Sequence, residues 1–408
     1  MRRITLDNGL RIISLKKPKD YTGRLIVGIN YGQIYEEKTN GLAHFLEHMI
    51  ISADTKYHTS KQIGEKIDFC GGIVNAHTYH ERLIYEGSSP SKSFEDIIDL
   101  LLELVFRTSF KTKCFKKEKK VILNEILKDH DDPYHHIDKI FLNTLYKNHP
   151  IRFSILGTIN SLEKLTLKQI IEAHKKYFVP NNVVIGIFGN FDNSSFSKVK
   201  NVLNKFKMRT IQKPRILKEN KRPFKKSTIR IRKDLMQSYI QTGVKTEPAT
   251  HKDTHILDII STLLGFGSSS RLYREIRLRK ALAYHVSAGH IKERTYGYFL
   301  TYAETKKQNL NKILRLIKKE FKKLREKKIT PNELKRTKNM VIAENLFSFE
   351  RPISGSIRFV NDEMILGNVN KIKSYMKKVD SVTAKDILEV ANKYFDEEKF
   401  ATAIIRPR

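Results

Sequence analysis

The sequence contains no tryptophan, and it has only two cysteines among 408 residues. Cys70 and Cys114 do not form a CxxC pair, so a disulfide framework is excluded. No run of about 18 apolar residues is present, and we therefore expect no transmembrane helix. The first 15 residues, MRRITLDNGLRIISL, lack the apolar core of a secretory signal. These absences make the cytoplasm the expected location.

Acidic residues are also few, because 44 Asp and Glu stand against 77 Lys and Arg, which gives a net charge of +33. Lysines spread over a solvated surface would produce this excess. A preference for acidic or nucleic-acid partners, or for an anionic membrane surface, would produce it too. No specific nucleic-acid-binding motif accompanies the charge. The apolar fraction of 40% indicates a globular chain, and 408 residues are enough for two to three domains.

The chain contains two stretches that each mix strand and helix patterns. In the first, the pattern predicts strands 11–15 and 24–31, helices 40–52 (capped by Thr39 or Asn40) and 60–68, and the hairpin of 73–79 and 83–87. It then predicts helices 93–107 and 113–128, more helix after them, and the buried strand 183–191. In the second, it predicts strand 240–246, helices 253–264 and 270–280, strands 284–290 and 296–304, helices 306–326, 331–349 and 383–395, and strand 401–406.

A basic segment lies between the two stretches. Residues 209–226 hold eight Lys or Arg, a single acid and two prolines, which is a composition typical of a linker. We therefore predict an N-terminal half over 1–208, a basic linker over 209–227 and a C-terminal half over 228–408. Because both halves mix sheet and helices in a similar order, we predict a duplicated α+β unit.

The stretch GLAHFLEHMI, residues 41–50, places two histidines and a glutamate in an apolar helix. His44 and His48 are four residues apart, so both imidazoles project from one helix face. Two such imidazoles can hold a catalytic zinc ion, and Glu47 beside them can take a proton from zinc-activated water. The spacing HxxEH is that of the inverzincin motif. The alternative is a buried histidine pair whose polar atoms are satisfied by hydrogen bonds.

A zinc site of this kind needs a third ligand. The segment KKEKKVILNEILKDH offers Glu118 and Glu125, which are seven residues apart and therefore share one face of a helix. Glu125 lies in an apolar stretch, so its charge needs a cation, a metal or solvent. The alternative is an amphipathic helix with two acids on its surface.

Together these residues resemble the M16, or pitrilysin-type, zinc metallopeptidases, a family that includes insulin-degrading enzyme and the mitochondrial processing peptidase. The family pattern is HxxEH, then 76 residues, then glutamate, and here 76 residues separate His48 from Glu125. The family's upstream glutamate, seven residues before the ligand, matches Glu118. Other segments that resemble the family lie in both halves, so the resemblance covers nearly the whole chain. They are GGIVNAHTYHERLIYEG, HPIRFSILGT, YFVPNNVVIGIFGNFD and SSSRLYREIRLRKALAY.

The resemblance implies a role for each residue that matches the HxxEH and glutamate pattern. His44, His48 and Glu125 would bind one Zn²⁺ per chain. Glu47 would be the general base that activates water, and Glu118 would orient a zinc ligand from outside the coordination sphere.

Four further residues match family positions that contact substrate. Arg277 and Tyr284 have the family's spacing of seven residues, and they would hold the peptide and the tetrahedral oxyanion. Asn75 and Ala76 would line the cleft where a peptide adds to the sheet as an extra strand.

The resemblance also implies the architecture and the activity. The fold would be α+β, with two homologous α/β-sandwich halves that enclose a cleft. The activity would be zinc-dependent endopeptidase hydrolysis of peptides or unfolded polypeptide segments. The alternative is a non-catalytic or partner-dependent subunit of a heterodimer. Because relatives with four such domains close a chamber, a two-domain chain implies a dimer, either with itself or with a related subunit.

Overall fold

The computed structural model describes residues 1–36, 40–369 and 371–408, with the backbone alone for 371–373. The predicted cap residue Thr39 lies outside these residues. The chain forms two compact units, and each unit is built from three separate segments of the chain. The first unit comprises Met1–Lys128, Phe153–Arg215 and Ser348–Val369, and the second comprises Asp129–Arg152, Ile216–Phe347 and Asn370–Arg408.

The first unit is built on a six-stranded sheet. Its strands are β1 (Arg2–Thr5), β2 (Arg11–Lys16), β3 (Thr22–Ile29), β4 (Ile73–Thr78), β5 (Leu83–Pro90) and β6 (Val183–Gly189). Their spatial order is β1-β2-β6-β3-β5-β4, in which β2 and β6 are parallel and the other pairs antiparallel. Strands β3 and β6 lie in the middle and are buried along nearly their whole length, as their Ile- and Val-rich sequences predict. Strand β4 lies at an edge.

The helices follow in chain order. They are α1 (Leu42–Ser52), α2 (Ser60–Phe69), α3 (Phe94–Phe106), α4 (Thr112–Asp131), α5 (Pro133–Leu145), α6 (Ile159–Lys164), α7 (Leu167–Tyr177), α8 (Asn193–Asn204), α9 (Thr254–Gly265), α10 (Leu310–Glu326), α11 (Pro331–Glu350), α12 (Pro352–Leu366), α13 (Lys371–Ser381) and α14 (Ala384–Tyr394). A π-helix occupies Tyr273–Arg279, and a 3₁₀ turn occupies Gln33–Tyr35.

Helix α12 belongs to the first unit although it lies late in the chain. Its Glu363 is fully buried, and Arg3 donates to both carboxylate oxygens at 3.0 Å. Arg11 adds a third donor at 3.3 Å. Because a buried carboxylate needs such partners, this ion pair fixes α12 against strands β1 and β2.

The second unit is built on a five-stranded sheet. Its strands are β7 (Ser227–Ile231), β8 (Ser238–Thr246), β9 (Ala283–Lys292), β10 (Gly297–Thr305) and β11 (Ala401–Arg406), in the spatial order β7-β11-β8-β10-β9. Strands β7 and β11 are parallel, and the other pairs are antiparallel. This order and these directions repeat those of β2-β6-β3-β5-β4 in the first unit, as the predicted duplication requires.

A partly buried ionic cluster joins α9 to β9 in the second unit. Asp258 accepts hydrogen bonds from His290 Nδ1 at 2.8 Å, from Tyr375 Oη at 2.6 Å and from the Lys292 ammonium. Burial alone raises the pKa of Asp258, but the attraction of Lys292 and the His290 hydrogen bond outweigh it and hold the pKa well below its ordinary value.

The two-sheet α/β architecture confirms the predicted fold class, and several segment boundaries differ from the sequence prediction. The helix predicted over 270–280 is a π-helix for most of its length, and the helix predicted over 113–128 continues to Asp131 as α4. Strand β7 and helices α8, α12 and α13 were not predicted. The boundaries predicted for the two halves, 1–208 and 228–408, stay a prediction. Within the described part of the chain, no helix is long and apolar enough to cross a membrane.

Candidate metal centre

Helix α1 carries both histidines of the HxxEH motif. Its apolar side chains Phe45, Leu46 and Met49 are fully buried in the core of the first unit, and this packing fixes the rotation of the helix. His44 and His48 then lie one turn apart with their ring centroids 4.6 Å from each other. The sequence prediction that both imidazoles share one face agrees with this geometry.

Glu125 approaches the two histidines from helix α4. One of its carboxylate oxygens, Oε2, lies 3.3 Å from His48 Nε2 and 3.7 Å from His44 Nε2. One ligand atom from each of the three residues lies within 4.8 Å of the others. Among the described residues, this is the group of His, Cys, Asp and Glu side chains that could hold a metal ion.

The three side chains fit a zinc ion in chemistry as well as in spacing. Two imidazoles and one carboxylate form a donor set that catalytic zinc uses. The Nδ1 atom of His44 is buried and has no hydrogen-bond partner in the described part of the chain, so hydrogen bonding does not account fully for this ring. Burial, with a smaller contribution from His48, lowers the pKa of His44 to about 3. A neutral imidazole is the form that coordinates a metal.

Glu118 contacts the outer nitrogen of a candidate ligand. Its Oε2 lies 3.2 Å from His48 Nδ1, and its side chain is only 4% exposed. A carboxylate at this position keeps the Nδ1 proton on the ring and turns Nε2 toward Glu125. The seven-residue spacing therefore places Glu118 and Glu125 on the same side of α4, both toward His48.

Glu47 lies beside the histidines and is held by strand β4. The hydroxyl of Thr78 donates a hydrogen bond to Glu47 Oε2. Burial raises the pKa of Glu47 above its ordinary value, although the Thr78 hydrogen bond acts in the opposite direction. A carboxylate with a raised pKa is suited to accept a proton near neutral pH. The contact between Thr78 and Glu47 was not predicted from the sequence. Its only sequence signal is that Thr78 lies two residues after Ala76 and therefore on the same face of the strand.

Asn75 and Ala76 lie in the edge strand β4. They pair with Glu86 and Tyr85 of β5 on one side, and no described strand pairs with β4 on the other. The Asn75 side chain is exposed. The Ala76 N–H donates to the Asn75 side-chain oxygen at 2.9 Å. An edge strand that has a partner strand on one side only can pair with an added strand on the other.

Arg277 and Tyr284 lie in the second unit, where they contact each other. The Arg277 guanidinium carbon lies 4.3 Å from the centroid of the Tyr284 ring, and the Tyr284 side chain is 77% exposed. Arg277 belongs to the π-helix, and Ala281 between the two residues has a positive φ of 48°. Both features are uncommon and concentrate at functional segments. The role of Arg277 and Tyr284 stays a prediction.

Two family models match the chain. One, described as Insulinase (Peptidase family M16), matches residues 11–159, and the other, described as Peptidase M16 inactive domain, matches residues 164–341. The two matches follow each other without overlap and together cover most of the chain.

Curated relatives and solved structures match over almost their full lengths. The uncharacterized zinc protease YmxG of Bacillus subtilis is 27% identical over 412 residues, which cover 100% of this chain and 98% of the relative. An uncharacterized zinc protease of Rickettsia felis is 28% identical over 409 residues, 98% of this chain and 96% of the relative. A protease from Helicobacter pylori has a similar fold, with a TM-score of 0.90 at 24% identity, covering 100% of this chain and 99% of that one. The structure described as a peptidase M16 inactive domain from Pseudomonas fluorescens gives 0.89 at 17% identity, with 100% and 98% covered.

Proposed function

We propose that this chain, which belongs to the insulinase family of peptidases (peptidase family M16), is a zinc-dependent endopeptidase. Its substrates would be peptides or unfolded polypeptide segments. The observation that carries the proposal is the convergence of His44, His48 and Glu125, whose ligand atoms lie within 4.8 Å of one another. The curated relatives described as zinc proteases support the same activity.

Different residues of the chain would have different roles around this centre. A zinc ion held by His44, His48 and Glu125 would supply Lewis acidity and make water a nucleophile at neutral pH. Glu47 would accept the proton of the attacking water at Oε1, while Thr78 holds Oε2 in place. After the attack, Glu47 would return that proton to the amine of the leaving peptide.

The remaining predicted residues would act on the substrate. The edge of β4, with Asn75 and Ala76, would bind the peptide backbone as an added strand, since its outer backbone groups face no described strand. Arg277 and Tyr284 would bind the peptide and the oxyanion, for which a cation and a phenol are suitable donors. The HxxEH mechanism, the dimer, the single zinc per chain and the cytoplasmic location stay predictions.

A second candidate function is a non-catalytic or partner-dependent subunit. The match of residues 164–341 to a model described as an inactive domain favours it. The four residues His44, Glu47, His48 and Glu125 argue against it in the first unit, because a subunit without catalysis has no need of a general base beside three metal ligands.

The deciding experiment combines elemental analysis with hydrolysis of a quenched fluorescent peptide mixture. We expect about one zinc per chain, cleavage that a chelator stops, and a Glu47→Gln variant that keeps zinc but loses hydrolysis. Zinc without cleavage in the wild type would favour the partner-dependent subunit, and loss of zinc in Glu47→Gln would make Glu47 structural. A wild-type chain that binds no zinc would refute the proposal.

A further inference from the structure

Helix α1 begins without a side-chain cap of its own. Its N-cap residue is Gly41, which has a φ of +97° and offers no side-chain acceptor. The first backbone N–H groups of a helix have no partner within the helix, so they need an acceptor from elsewhere. In α1 these groups immediately precede the candidate ligand His44.

Glu36 supplies the missing acceptor. Its Oε2 accepts from the N–H of Gly41 at 2.7 Å, and its Oε1 accepts from the N–H of Ala43 at 2.6 Å. Both carboxylate oxygens therefore act as acceptors, and the positive end of the helix dipole favours negative charge at this place. Burial raises the pKa of Glu36, and the backbone N–H groups at the start of α1 act against that rise.

The turn that carries Glu36 is itself fixed to the hairpin beside the metal centre. Ile34 N–H donates to the carbonyl of His80 at 2.9 Å, and His80 Nδ1 lies 3.0 Å from Gln33 Oε1. His80 follows Thr78, whose hydroxyl holds Glu47. The turn therefore connects the start of α1 to the strand end that positions the proposed general base.

We propose that Glu36 is a positioning residue for the metal centre, because its carboxylate fixes the first turn of α1 and with it the position of His44 relative to Glu125. This inference rests on the proposed zinc site. It assigns to Glu36 an effect on metal affinity in addition to its contribution to folding.

The test compares zinc affinity in full-length variants. In Glu36→Gln, an NH₂ group that cannot accept a hydrogen bond replaces one carboxylate oxygen, so one of the two N–H groups loses its acceptor. We expect zinc to bind about fivefold more weakly, which is less than the loss of about tenfold or more expected for a group bonded directly to a ligand. The visible spectrum of the cobalt(II)-substituted protein should also change. Glu36→Asp keeps both acceptor oxygens on a shorter side chain and should recover part of the affinity.

Thr59→Ala is a matched control in the same unit. The Thr59 hydroxyl accepts from the N–H of Gln62 at 3.3 Å at the start of α2, a helix that carries no candidate ligand. This variant also removes an acceptor from a helix start. We expect a lower melting temperature with zinc affinity within about twofold of the wild type, since no metal ligand depends on α2.

The outcomes separate the inference from the proposed function. Unchanged zinc affinity and an unchanged cobalt spectrum in Glu36→Gln would overturn the inference, whatever the loss in melting temperature. If Glu36→Gln does not fold, Glu36→Asp decides, because wild-type affinity there would overturn the inference and an intermediate affinity would support it. Absence of zinc binding in the wild type would overturn the proposed function instead.

Discussion

Replacing Glu118 by glutamine should weaken zinc binding without removing a zinc ligand. Glu118 is 3% exposed, and its Oε2 lies 3.2 Å from His48 Nδ1. Glutamine has nearly the same shape and can still accept this hydrogen bond through its one oxygen. The substitution therefore removes the negative charge that makes the imidazole a stronger donor to metal.

The expected loss is about tenfold in zinc affinity, which corresponds to about 1.4 kcal/mol. This loss lies at the low end of the range for residues that hydrogen-bond a zinc ligand, since the hydrogen bond to His48 survives and only the negative charge of Glu118 is lost. Competition with a chromophoric chelator measures the dissociation constant directly. Hydrolysis of a fluorescent peptide at saturating zinc should fall less than the affinity, because all centres are then occupied.

Glu103→Gln is the control for this experiment. His58 Nδ1 lies 2.9 Å from Glu103 Oε1, so the first unit contains a second histidine–carboxylate pair that includes no candidate ligand. We expect this variant to lose stability while its zinc affinity stays unchanged. If Glu118→Gln binds zinc as tightly as the wild type, or if Glu103→Gln weakens binding equally, the assigned role of Glu118 is wrong.

Two further predictions concern the second unit. Asp258→Asn leaves the partly exposed Lys292 ammonium without its counter-ion and should lower the free energy of unfolding by about 2 kcal/mol, measured by denaturant titration. Because the folded-state pKa of Asp258 is lowered, its contribution is present above its unfolded pKa of about 3.9 and is lost as pH falls below that value. The stability of the variant should therefore fall less on acidification than that of the wild type, and an equal fall would contradict this reasoning. Arg277→Ala should lower the rate of peptide hydrolysis with zinc content unchanged, and a wild-type rate would remove Arg277 from the mechanism.

Much of the metal centre could be predicted from sequence because its parts are local or periodic. The spacing of four residues between His44 and His48 places both on one helix face, and the spacing of seven does the same for Glu118 and Glu125. The convergence of the two helices, by contrast, came from the resemblance. The sequence of either helix alone does not indicate which other helix it packs against.

The contacts that could not be predicted are between residues distant in the chain or in irregular segments. Glu36 precedes the helix that it caps by several residues, and Thr78 reaches Glu47 from a strand 31 positions later. Neither pairing leaves a periodic signal in the sequence. The π-helix at Tyr273–Arg279 was expected as an ordinary helix, because a segment of 7 residues is too short for its hydrophobic pattern to separate the two helix types.

The unpredicted helices have sequences that argue against helix formation in isolation. Helix α8 reads NSSFSKVKNVLN, and its Asn and Ser side chains compete for backbone hydrogen bonds. Helix α12 contains Gly355, where an added Cβ would lie 2.8 Å from the Phe349 carbonyl oxygen. Both are stabilised by packing, through Val199 and Leu203 in α8 and through Glu363 in α12.

The repeated strand order has a consequence for how the two copies can diverge. In the first copy, the helix after β3 presents Glu47 to the edge strand β4. In the second, the helix after β8 presents Asp258 to the edge strand β9, where histidine and lysine neutralise it. Substitution of a neutralised cluster by well-packed apolar residues costs little stability. Apolar substitution of this cluster is therefore tolerable in the second copy, whereas in the first copy the proposed function requires that Glu47 stays a carboxylate.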